Sequence, residues 1–498
     1  MASVGAIPEV NNAARNLWLA NGLNAQSLTR LHLSNQPNSA INSSFKLASV
    51  AQTAIGLSGL SAAQFHNLRT GIDQEVNVDA RHAVLEFHSE AWHTVDGELP
   101  GGIWDTIAGV YQTRDGHVRI HTNFPHHRAG ILSVLNLPNL PETTRDSVQS
   151  ALNTWNAVEF ETEAAARGMC ATAMRSCEVW SQHPHARQLD GVPPVRIIKI
   201  GDAPKREVSS DFELSRPLDG IRVLDLSRVL AGPVAGRTLA AHGADVLLVT
   251  SPHLPSLPTL DIDTSRGKRT TQLDLTSPND LNKLKRLAST ADVFLQAYRP
   301  GGLQAKGFGP TELAALRPGI VSANLTAWGW QGPWKDRRGF DSLVQTATGF
   351  NVAEAAAYAE FTGDQNAALK PRPLPMQALD HAAGYLLAFG INAALCKTIT
   401  EGGSWEVQVS LAAVGQWIKS FGRLTPEEAF GSTAQAFPPR TLPLDPEIAA
   451  LSLPWRSEGG HEMTALRHAA ILSRTPVREG ESSQAPMALD AHAAEWLQ

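Results

Sequence analysis

Residues 218–252 read LDGIRVLDLSRVLAGPVAGRTLAAHGADVLLVTSP. The pattern predicts a buried strand at Ile221–Leu226, a helix at Val234–Ala241 and a second strand at Ala244–Thr250. Gly243 stands between the helix and the second strand, where a left-handed C′ residue commonly ends a helix. Because such an alternation is typical of parallel sheets, the stretch predicts an α/β fold built on a Rossmann-like domain with an open parallel sheet.

The same βαβ unit indicates a class of ligand. Its turn and helix N-terminus lie at the carboxyl end of the first strand, a place that favours a phosphate-bearing or anionic ligand. The unit has no GxGxxG dinucleotide fingerprint, and the chain has no GxxxxGK[ST] P-loop. The unit by itself therefore leaves the ligand unidentified.

The composition is that of a globular protein. The chain has 498 residues, of which 43% are hydrophobic, and its 42 Lys and Arg against 48 Asp and Glu give a net charge of −6. At about 100–200 residues per domain we expect about two to four domains, and no basic surplus points to a nucleic-acid partner. The three cysteines, Cys170, Cys177 and Cys396, cannot form a disulfide framework and indicate a reduced, intracellular protein.

Neither a membrane segment nor a secretory signal is predicted. No uninterrupted apolar run reaches about 18 residues, the length of a membrane span. The N-terminal residues lack a charged region followed by an apolar core. The expected location is cytoplasmic, and mitochondrial targeting stays open because Arg15 and Arg30 lie in an acid-poor stretch.

The rest of the chain divides by composition. Strand-like pieces at His117–His121 and Arg196–Ile200 mix with helical stretches ahead of a polar linker that begins at Asp202. The predicted regions are a helical part at 1–95, a small α+β domain at 96–205, the Rossmann-like domain at 215–421 and a C-terminal segment, partly loop, at 422–498.

An internal repeat links the two ends of the chain. Glu75–Val78 (EVNV) resembles Glu406–Val409 (EVQV), at an offset of about 330 residues. Each motif follows a helical stretch rich in small residues, at 46–66 and 382–396. The shared helix–turn–strand context predicts an internal duplication.

Asp380 stands out by its position. It follows three prolines and opens the apolar run HAAGYLLAFGINAALCK. A carboxylate at a helix N-cap accepts backbone N–H bonds and meets the positive end of the helix dipole, and both effects favour its ionised form. Asp380 is therefore either a helix cap or a charged carboxylate nucleophile. Val50 stands at the corresponding place of the first copy, so only the second copy has this carboxylate.

Two cationic segments are candidates for binding phosphate. Leu325–Gly349 carries Lys335, Arg337 and Arg338, and residues 266–269 read RGKR. Guanidinium groups suit phosphate because their donors form a fixed fork. A solvated basic loop is the alternative for each segment.

The run HTNFPHH at residues 121–127 is the nearest approach to a metal motif. It lacks the i, i+4 spacing of helical ligands and has no neighbouring set of Cys or carboxylates. No metal site is therefore predicted.

Six collinear blocks of the chain resemble family III CoA-transferases of the CaiB/BaiF type, a group that includes α-methylacyl-CoA racemases. The blocks are residues 218–252, 266–275, 291–309, 339–349, 379–395 and 406–411. An earlier segment, residues 111–138, is similar to the family's small domain, which normally follows the large domain's helical stretch. The resemblance therefore implies two fused family copies, each incomplete.

The resemblance implies transfer of CoA from an acyl-CoA donor to a free carboxylic acid. Asp380 takes the position of the family's nucleophile, which forms a mixed anhydride and then an aspartyl-CoA thioester by covalent catalysis. The CoA-binding positions that the resemblance implies are Val229, Leu230 and Ala231 near the adenine, Arg338 as a phosphate-binding cation, Ala297 and Tyr298 along the cofactor, and Lys306 beside a commonly basic position. CoA is then part of the substrate, no permanent cofactor is expected, and the partners are an acyl-CoA and a small carboxylic acid.

The resemblance also bears on assembly and on two alternative functions. Relatives form interlocked dimers, so the chain is expected to be a homodimer or a pseudo-dimeric monomer. A racemase of this family uses a His together with the Asp, but Phe340 stands at the His position, which leaves neighbouring His381 as a substitute base. A catalytically inactive CoA-fold scaffold is the second alternative, since Thr250 and Ala305 depart from the family pattern.

Overall fold

A seven-stranded, mostly parallel sheet forms the centre of the fold in the computed structural model, which describes residues 9–208, 214–364, 366 and 370–497. The strands are β1 (Leu31–Leu33), β2 (Val76–Val78), β3 (Thr94–Val95), β4 (Gly109–Gln112), β5 (His117–Ile120), β6 (Ala171–Ala173), β7 (Arg196–Gly201), β8 (Arg222–Leu226), β9 (Asp245–Thr250), β10 (Arg269–Gln272), β11 (Val293–Gln296), β12 (Val321–Thr326), β13 (Ser404–Ser410), β14 (Ser452–Ser457), β15 (Glu462–Leu466), β16 (Ala470–Leu472) and β17 (Gln484–Ala485). The helices are α1 (Glu9–Ala20), α2 (Leu47–Thr70), α3 (Ala80–Glu86), α4 (Pro125–Val134), α5 (Arg145–Leu152), α6 (Ala157–Ala166), α7 (Cys177–Ser181), α8 (Pro184–Arg187), α9 (Ala231–Ala241), α10 (Pro258–Thr264), α11 (Pro278–Ala288), α12 (Pro310–Leu316), α13 (Asp341–Thr348), α14 (Phe350–Thr362), α15 (Ala378–Thr400), α16 (Leu411–Ser420), α17 (Pro426–Phe430) and α18 (Pro446–Ala450).

The large sheet confirms the predicted α/β fold class. Its strand order is β10-β9-β8-β11-β12-β13-β7, and all neighbours as far as β13 run parallel. Val223 in β8 belongs to the core that includes α9 and α15, whereas Leu224 and Leu226 belong to the core that includes α11 and α12. Because helices cover both faces, β8 is apolar on both sides, as parallel strands usually are.

The helix after β8 begins at Ala231 rather than at Val234, where the sequence places its start. Pro233 is part of the predicted turn, but proline is tolerated in the first turn of a helix, where its missing N–H is not needed. The N-terminus of α9 therefore reaches the turn that follows β8.

A smaller unit with a core of its own precedes the large sheet. The antiparallel sheet β4-β5-β6 packs with α4, α5 and α6 around residues that include Ile107, Val148 and Phe160. This unit lies inside the predicted small region, 96–205. β7 also falls inside those limits, yet it pairs antiparallel with β13 and so covers the edge that β13 would otherwise expose.

Two long buried helices, α2 and α15, pack against each other. The side-chain amide of Asn392 in α15 donates to the carbonyl oxygen of Ser58 in α2 at 3.3 Å. α15 also lies close to α9, since a Cβ on Gly384 would stand 2.6 Å from the carbonyl oxygen of Ala231. By length and composition α15 could cross a membrane, but 89% of its apolar window is buried inside the fold, as in a core helix.

The small sheet β1-β2-β16 has the same arrangement as one edge of the large sheet. β1 runs parallel to β2, and β16 runs antiparallel to it. In the large sheet, β12 runs parallel to β13, and β7 runs antiparallel to it. α2 precedes β2 in the chain, as α15 precedes β13. β7 pairs with β13 but lies before the other strands of the large sheet in the chain. β16 pairs with β2 but lies after β13. Each of the two sheets therefore takes its third strand from the other region of the chain.

The C-terminal segment, predicted as partly loop, ties the two regions together. Its strands β14, β15 and β17 form a four-stranded sheet with β3, which comes from the N-terminal region. β16 of the same segment pairs with β2. The C-terminal segment is therefore joined to the N-terminal region by two strand pairings, β15 with β3 and β16 with β2.

Candidate functional site

A cavity of about 580 Å³ opens where the strands of the large sheet end. Residues directly after β8, β9, β11 and β12 line it, which is the edge where open α/β sheets bind ligands. The eight residues that the family resemblance implies for the nucleophile and for CoA binding all lie on its wall: Val229, Leu230, Ala231, Ala297, Tyr298, Lys306, Arg338 and Asp380. The structure therefore brings the candidate nucleophile and the candidate CoA-binding residues into one space.

Val229 gives the turn after β8 an unusual backbone. Its φ is +73°, in the left-handed region that a β-branched residue rarely occupies. The next residues, Leu230 and Ala231, lead into the N-terminus of α9 and share the cavity wall. Because strained residues cluster at functional sites, this turn is a candidate for contact with a ligand.

Asp380 is the third residue of α15 and not its cap, because the helix begins at Ala378 after Gln377. Asp380 is buried, with 8% of its surface exposed, and it lines the cavity. Burial, followed by the nearby Asp341 and Glu90, raises the pKa of Asp380 well above the ordinary carboxyl range. The prediction that the helix end keeps this group ionised is therefore wrong. Burial beside two other carboxyls outweighs the helix dipole.

Asp341 is the functional candidate that the sequence reasoning missed. Its Oδ2 accepts the backbone N–H of Leu379 at 2.8 Å and that of Asp380 at 2.9 Å, so Asp341 caps α15 from another helix. The side-chain amide of Gln345 donates to Oδ1. Burial raises the pKa of Asp341 to about 7. Asp341 and Asp380 are therefore two neighbouring buried carboxyls whose pKa values are both raised, and the charge of Asp341 contributes to the raised pKa of Asp380.

His381, the next residue, points away from the cavity. Its Nε2 lies 3.0 Å from Oε2 of Glu90, and both side chains are fully buried. The ring of Phe87 stacks on its imidazole with centroids 5.5 Å apart. His381 is absent from the cavity wall, so this imidazole is held as a buried structural group by the N-terminal region.

Aromatic rings from the small unit cover part of the cavity. Phe340 lies on the wall, and His121 stacks on it with centroids 3.8 Å apart. Phe124 and His127 lie 6.3 Å and 6.0 Å from Phe340, measured between ring centroids, and also line the cavity.

Among the described residues no group of three His, Cys, Asp or Glu side chains could hold a metal ion.

The cations of the cavity only partly match those that the sequence suggested, since Arg337 and Arg338 line it but Lys335 does not. Arg228 and Arg299, which the sequence did not single out, line the cavity together with Lys306 and Arg338. None of these four forms an ion pair with a described residue. Arg337 also lines the cavity, but its guanidinium lies 3.9 Å from a carboxylate oxygen of Glu161.

The RGKR segment is neither a phosphate site nor a solvated loop. Arg266 pairs with Asp263 at 2.9 Å, and Lys268 pairs with Asp225 at 2.8 Å, all four side chains being fully buried. Buried charges of this kind need a partner, and each has found one inside the fold. These two cations are therefore paired within the fold, and neither lines the cavity.

A family model described as CoA-transferase family III matches residues 218–433. These residues belong to that family. Of the residues that line the cavity, Phe124, His126 and His127 lie outside this CoA-transferase family III region. The remaining wall, including Asp380 and the four cations without an ion pair, is built by the family region itself.

Three curated relatives with CoA-transferase or acyl-CoA transferase names are similar to parts of this chain. A probable fatty acyl-CoA transferase of Mycobacterium tuberculosis is 36% identical over 216 residues, which are 40% of this chain and 52% of the relative. A succinate–glutarate CoA-transferase of Agrobacterium fabrum is 32% identical over 216 residues, with the same two shares. An acyl-CoA transferase of Gibberella moniliformis is 27% identical over 400 residues, covering 74% of this chain and 69% of the relative. The chain thus spans about half the length of the two bacterial relatives.

Proposed function

We propose that this chain transfers CoA from an acyl-CoA donor to a free carboxylic acid. The observation that carries the proposal is one cavity lined by Asp380 and by four cations without an ion-pair partner among the described residues. The cations suit the phosphates of CoA, and a carboxylate suits attack on a thioester carbonyl. The family of residues 218–433 and the relatives named as CoA-transferases support this activity.

Asp380 would act as a covalent nucleophile in four balanced steps. Its carboxylate attacks the thioester carbonyl, which forms a mixed anhydride and releases the CoA thiolate. The thiolate attacks the aspartyl carbonyl, which forms an aspartyl-CoA thioester and releases the first carboxylate. The acceptor carboxylate attacks the carbonyl of that thioester, which forms a second mixed anhydride and again releases the CoA thiolate. The thiolate then attacks the acceptor's carbonyl, so that the new acyl-CoA leaves and Asp380 is restored.

The racemase alternative finds no base at the cavity in either of the two positions that the resemblance offers for one, residues 340 and 381. Proton exchange at an α-carbon needs an acid and a base on opposite faces. Phe340 occupies the expected His position, and His381 is buried against Glu90 instead of lining the wall. Transfer is therefore favoured over racemisation.

An exchange experiment tests the proposed activity. The protein is incubated with an acyl-CoA and a second, isotope-labelled free acid, then quenched with hydroxylamine and digested for mass spectrometry. We expect label in the acyl-CoA pool and a hydroxamate on Asp380. Deuterium at the α-carbon without CoA exchange would instead indicate a racemase. Neither signal, with no binding of CoA, would indicate a scaffold.

We also propose that the chain is a pseudo-dimeric monomer. The support is the equivalence of β1-β2-β16 and β12-β13-β7, whose third strands are exchanged between the two regions. The contacts that two subunits would make across a dimer interface are then made between two regions of one chain. In light scattering coupled to size exclusion we expect a mass near 53.5 kDa. A mass near twice that value would show a homodimer instead.

A further inference from the structure

The first turn of α15 is held from two sides. From the family region, Oδ2 of Asp341 accepts the backbone N–H groups of Leu379 and Asp380. From the N-terminal region, Oε2 of Glu90 lies 3.0 Å from Nε2 of His381, the residue that follows Asp380. Glu90 stands 291 positions before His381 in the chain. The helix turn that carries the candidate nucleophile is therefore completed by a side chain from a distant region.

The contact between Glu90 and His381 lies in the interior of the fold. Both side chains are fully buried, and the second carboxylate oxygen of Glu90 lies 3.2 Å from Nδ1 of His88. Burial alone would raise the pKa of Glu90, but His381 and His88 lower it well below the ordinary carboxyl range. A buried carboxylate costs free energy unless it is paired, so the fold strongly favours keeping this contact.

The segment that carries Glu90 also packs on α15 through an aromatic ring. The ring of Phe87 stacks on the imidazole of His381, with centroids 5.5 Å apart. It stacks as well on the ring of Tyr385, one turn further along α15, with centroids 5.7 Å apart and planes tilted by 3°. The N-terminal region is therefore in contact with the first and the second turn of the helix.

The same segment is anchored to the helices beside the large sheet. The hydroxyl of Ser89 donates to a carboxylate oxygen of Asp263 in α10 at 2.7 Å and accepts from the guanidinium of Arg237 in α9 at 2.8 Å. Arg237 and Asp263 form a fully buried ion pair at 2.6 Å. Because hydrogen bonds to charged groups are among the stronger ones, residues 87–90 are fixed relative to the large sheet.

Glu90 is also close enough to Asp380 to act on its charge. Burial, followed by Asp341 and Glu90, raises the pKa of Asp380. Replacing Glu90 can therefore change both the charge around Asp380 and the position of its helix turn. The two effects separate on the alkaline plateau of the pH profile, where Asp380 is ionised and only its position matters.

Resting on the proposed transferase activity, we propose that Glu90 is a positioning residue for Asp380. Through His381 it sets where the first turn of α15 stands, and so where the Asp380 carboxylate meets the thioester carbonyl. A displacement of a reacting group by about 1 Å can lower a rate by about a hundredfold. Glu90 lies outside the CoA-transferase family III region, residues 218–433, so the N-terminal region would contribute to the reaction as well as to the fold.

Two conservative substitutions of Glu90 separate its shape from its charge. Glu90→Gln keeps the side-chain length, since its oxygen can accept from Nε2 of His381 and its NH₂ can donate to Nδ1 of His88. Glu90→Asp keeps the charge but withdraws the carboxylate by one methylene. On the alkaline plateau we expect Glu90→Asp to lower kcat by at least about fivefold and Glu90→Gln to stay within about twofold of the wild type.

The assay measures CoA exchange between an acyl-CoA and its own labelled free acid. Hexanoyl-CoA, phenylacetyl-CoA and succinyl-CoA are the probes, and the variants are compared on the probe that the wild type exchanges fastest. Each rate is divided by the concentration of CoA sites from a calorimetric titration, so a partly folded preparation does not imitate a lower kcat. The affinity for CoA should stay within about threefold, because neither substitution removes a cation of the cavity.

Glu86→Asp is the matched control. Glu86 is another buried glutamate of the N-terminal region, and its Oε1 lies 2.9 Å from Nδ1 of His468 in the C-terminal segment. The substitution shortens a second buried Glu–His pair that does not include the first turn of α15. We expect it to leave kcat per CoA site unchanged.

The outcomes separate this proposal from the activity on which it rests. A kcat for Glu90→Asp no lower than that for Glu86→Asp would show that Glu90 only supports the fold. A kcat for Glu90→Gln as low as that for Glu90→Asp would show that the charge of Glu90 matters rather than its reach. Either result would overturn the positioning role and leave the transferase activity standing. No exchange of any probe by the wild type, although CoA binds, would overturn the transferase activity and this proposal with it.

Discussion

Replacing Asp380 with Asn is expected to lower the rate of CoA transfer by about 10⁴-fold or more. The amide has nearly the shape of the carboxyl, but it cannot form the mixed anhydride or the aspartyl thioester. The affinity for CoA should stay within about threefold, because the cations Arg228, Arg299 and Arg338 are untouched. Initial rates of acyl exchange and a calorimetric titration with CoA measure the two quantities separately.

Asp336→Asn is the matched control for this substitution. Asp336 is an exposed carboxylate on the loop that carries Arg338, and it does not line the cavity. Its removal should leave the transfer rate and the CoA affinity unchanged. If Asp380→Asn kept more than about a tenth of the wild-type rate, the nucleophile assignment would be contradicted.

The βαβ unit at residues 218–252 shows what local pattern can predict. Apolar runs of strand length, a run of small residues of helix length and a glycine between them are local signals, and they indicate β8, α9 and β9 with an error of a few residues. The cavity at the end of β8 follows from the connection rule of parallel sheets. Val229, Leu230 and Ala231 lie on its wall for that reason.

Local sequence patterns did not predict the contacts between distant parts of the chain. The RGKR segment looks solvated because its partners, Asp225 and Asp263, are not visible from the cationic run itself. Asp341 holds the N-terminus of α15 from another helix, and that role depends on how α13 packs. The burial that raises the pKa of Asp380 has the same origin. A helix dipole can be inferred from sequence, whereas the Glu90 carboxyl nearby belongs to the N-terminal region.

The coupled pair Asp341 and Asp380 is expected to make CoA transfer depend on pH. Nucleophilic attack needs Asp380 ionised, and its pKa is raised by burial and by Asp341. The ionised fraction therefore falls about tenfold for each pH unit below that raised pKa. We expect the profile of kcat/KM against pH to be highest on the alkaline side and to fall toward acid at a pH where an ordinary carboxyl would still be ionised.

Asp341→Asn should move this acid limb to lower pH. The Asn Oδ1 can still accept hydrogen bonds from the backbone N–H groups of Leu379 and Asp380. The Asn side-chain NH₂ then faces the NH₂ of Gln345, and two donors cannot bond to each other. Gln345 cannot easily turn over, because its Oε1 accepts the backbone N–H of Leu374 at 3.0 Å. We therefore expect a lower plateau rate. The like charge beside Asp380 is gone, so the pKa of Asp380 falls and the rate at pH 5, relative to that at pH 8, rises about tenfold or more. Asp336→Asn should leave the profile of kcat/KM against pH unchanged, since its exposed carboxylate is not coupled to the pair. A profile for Asp341→Asn that is scaled down but unshifted would show that Asp341 only caps α15 and does not set the charge of the nucleophile.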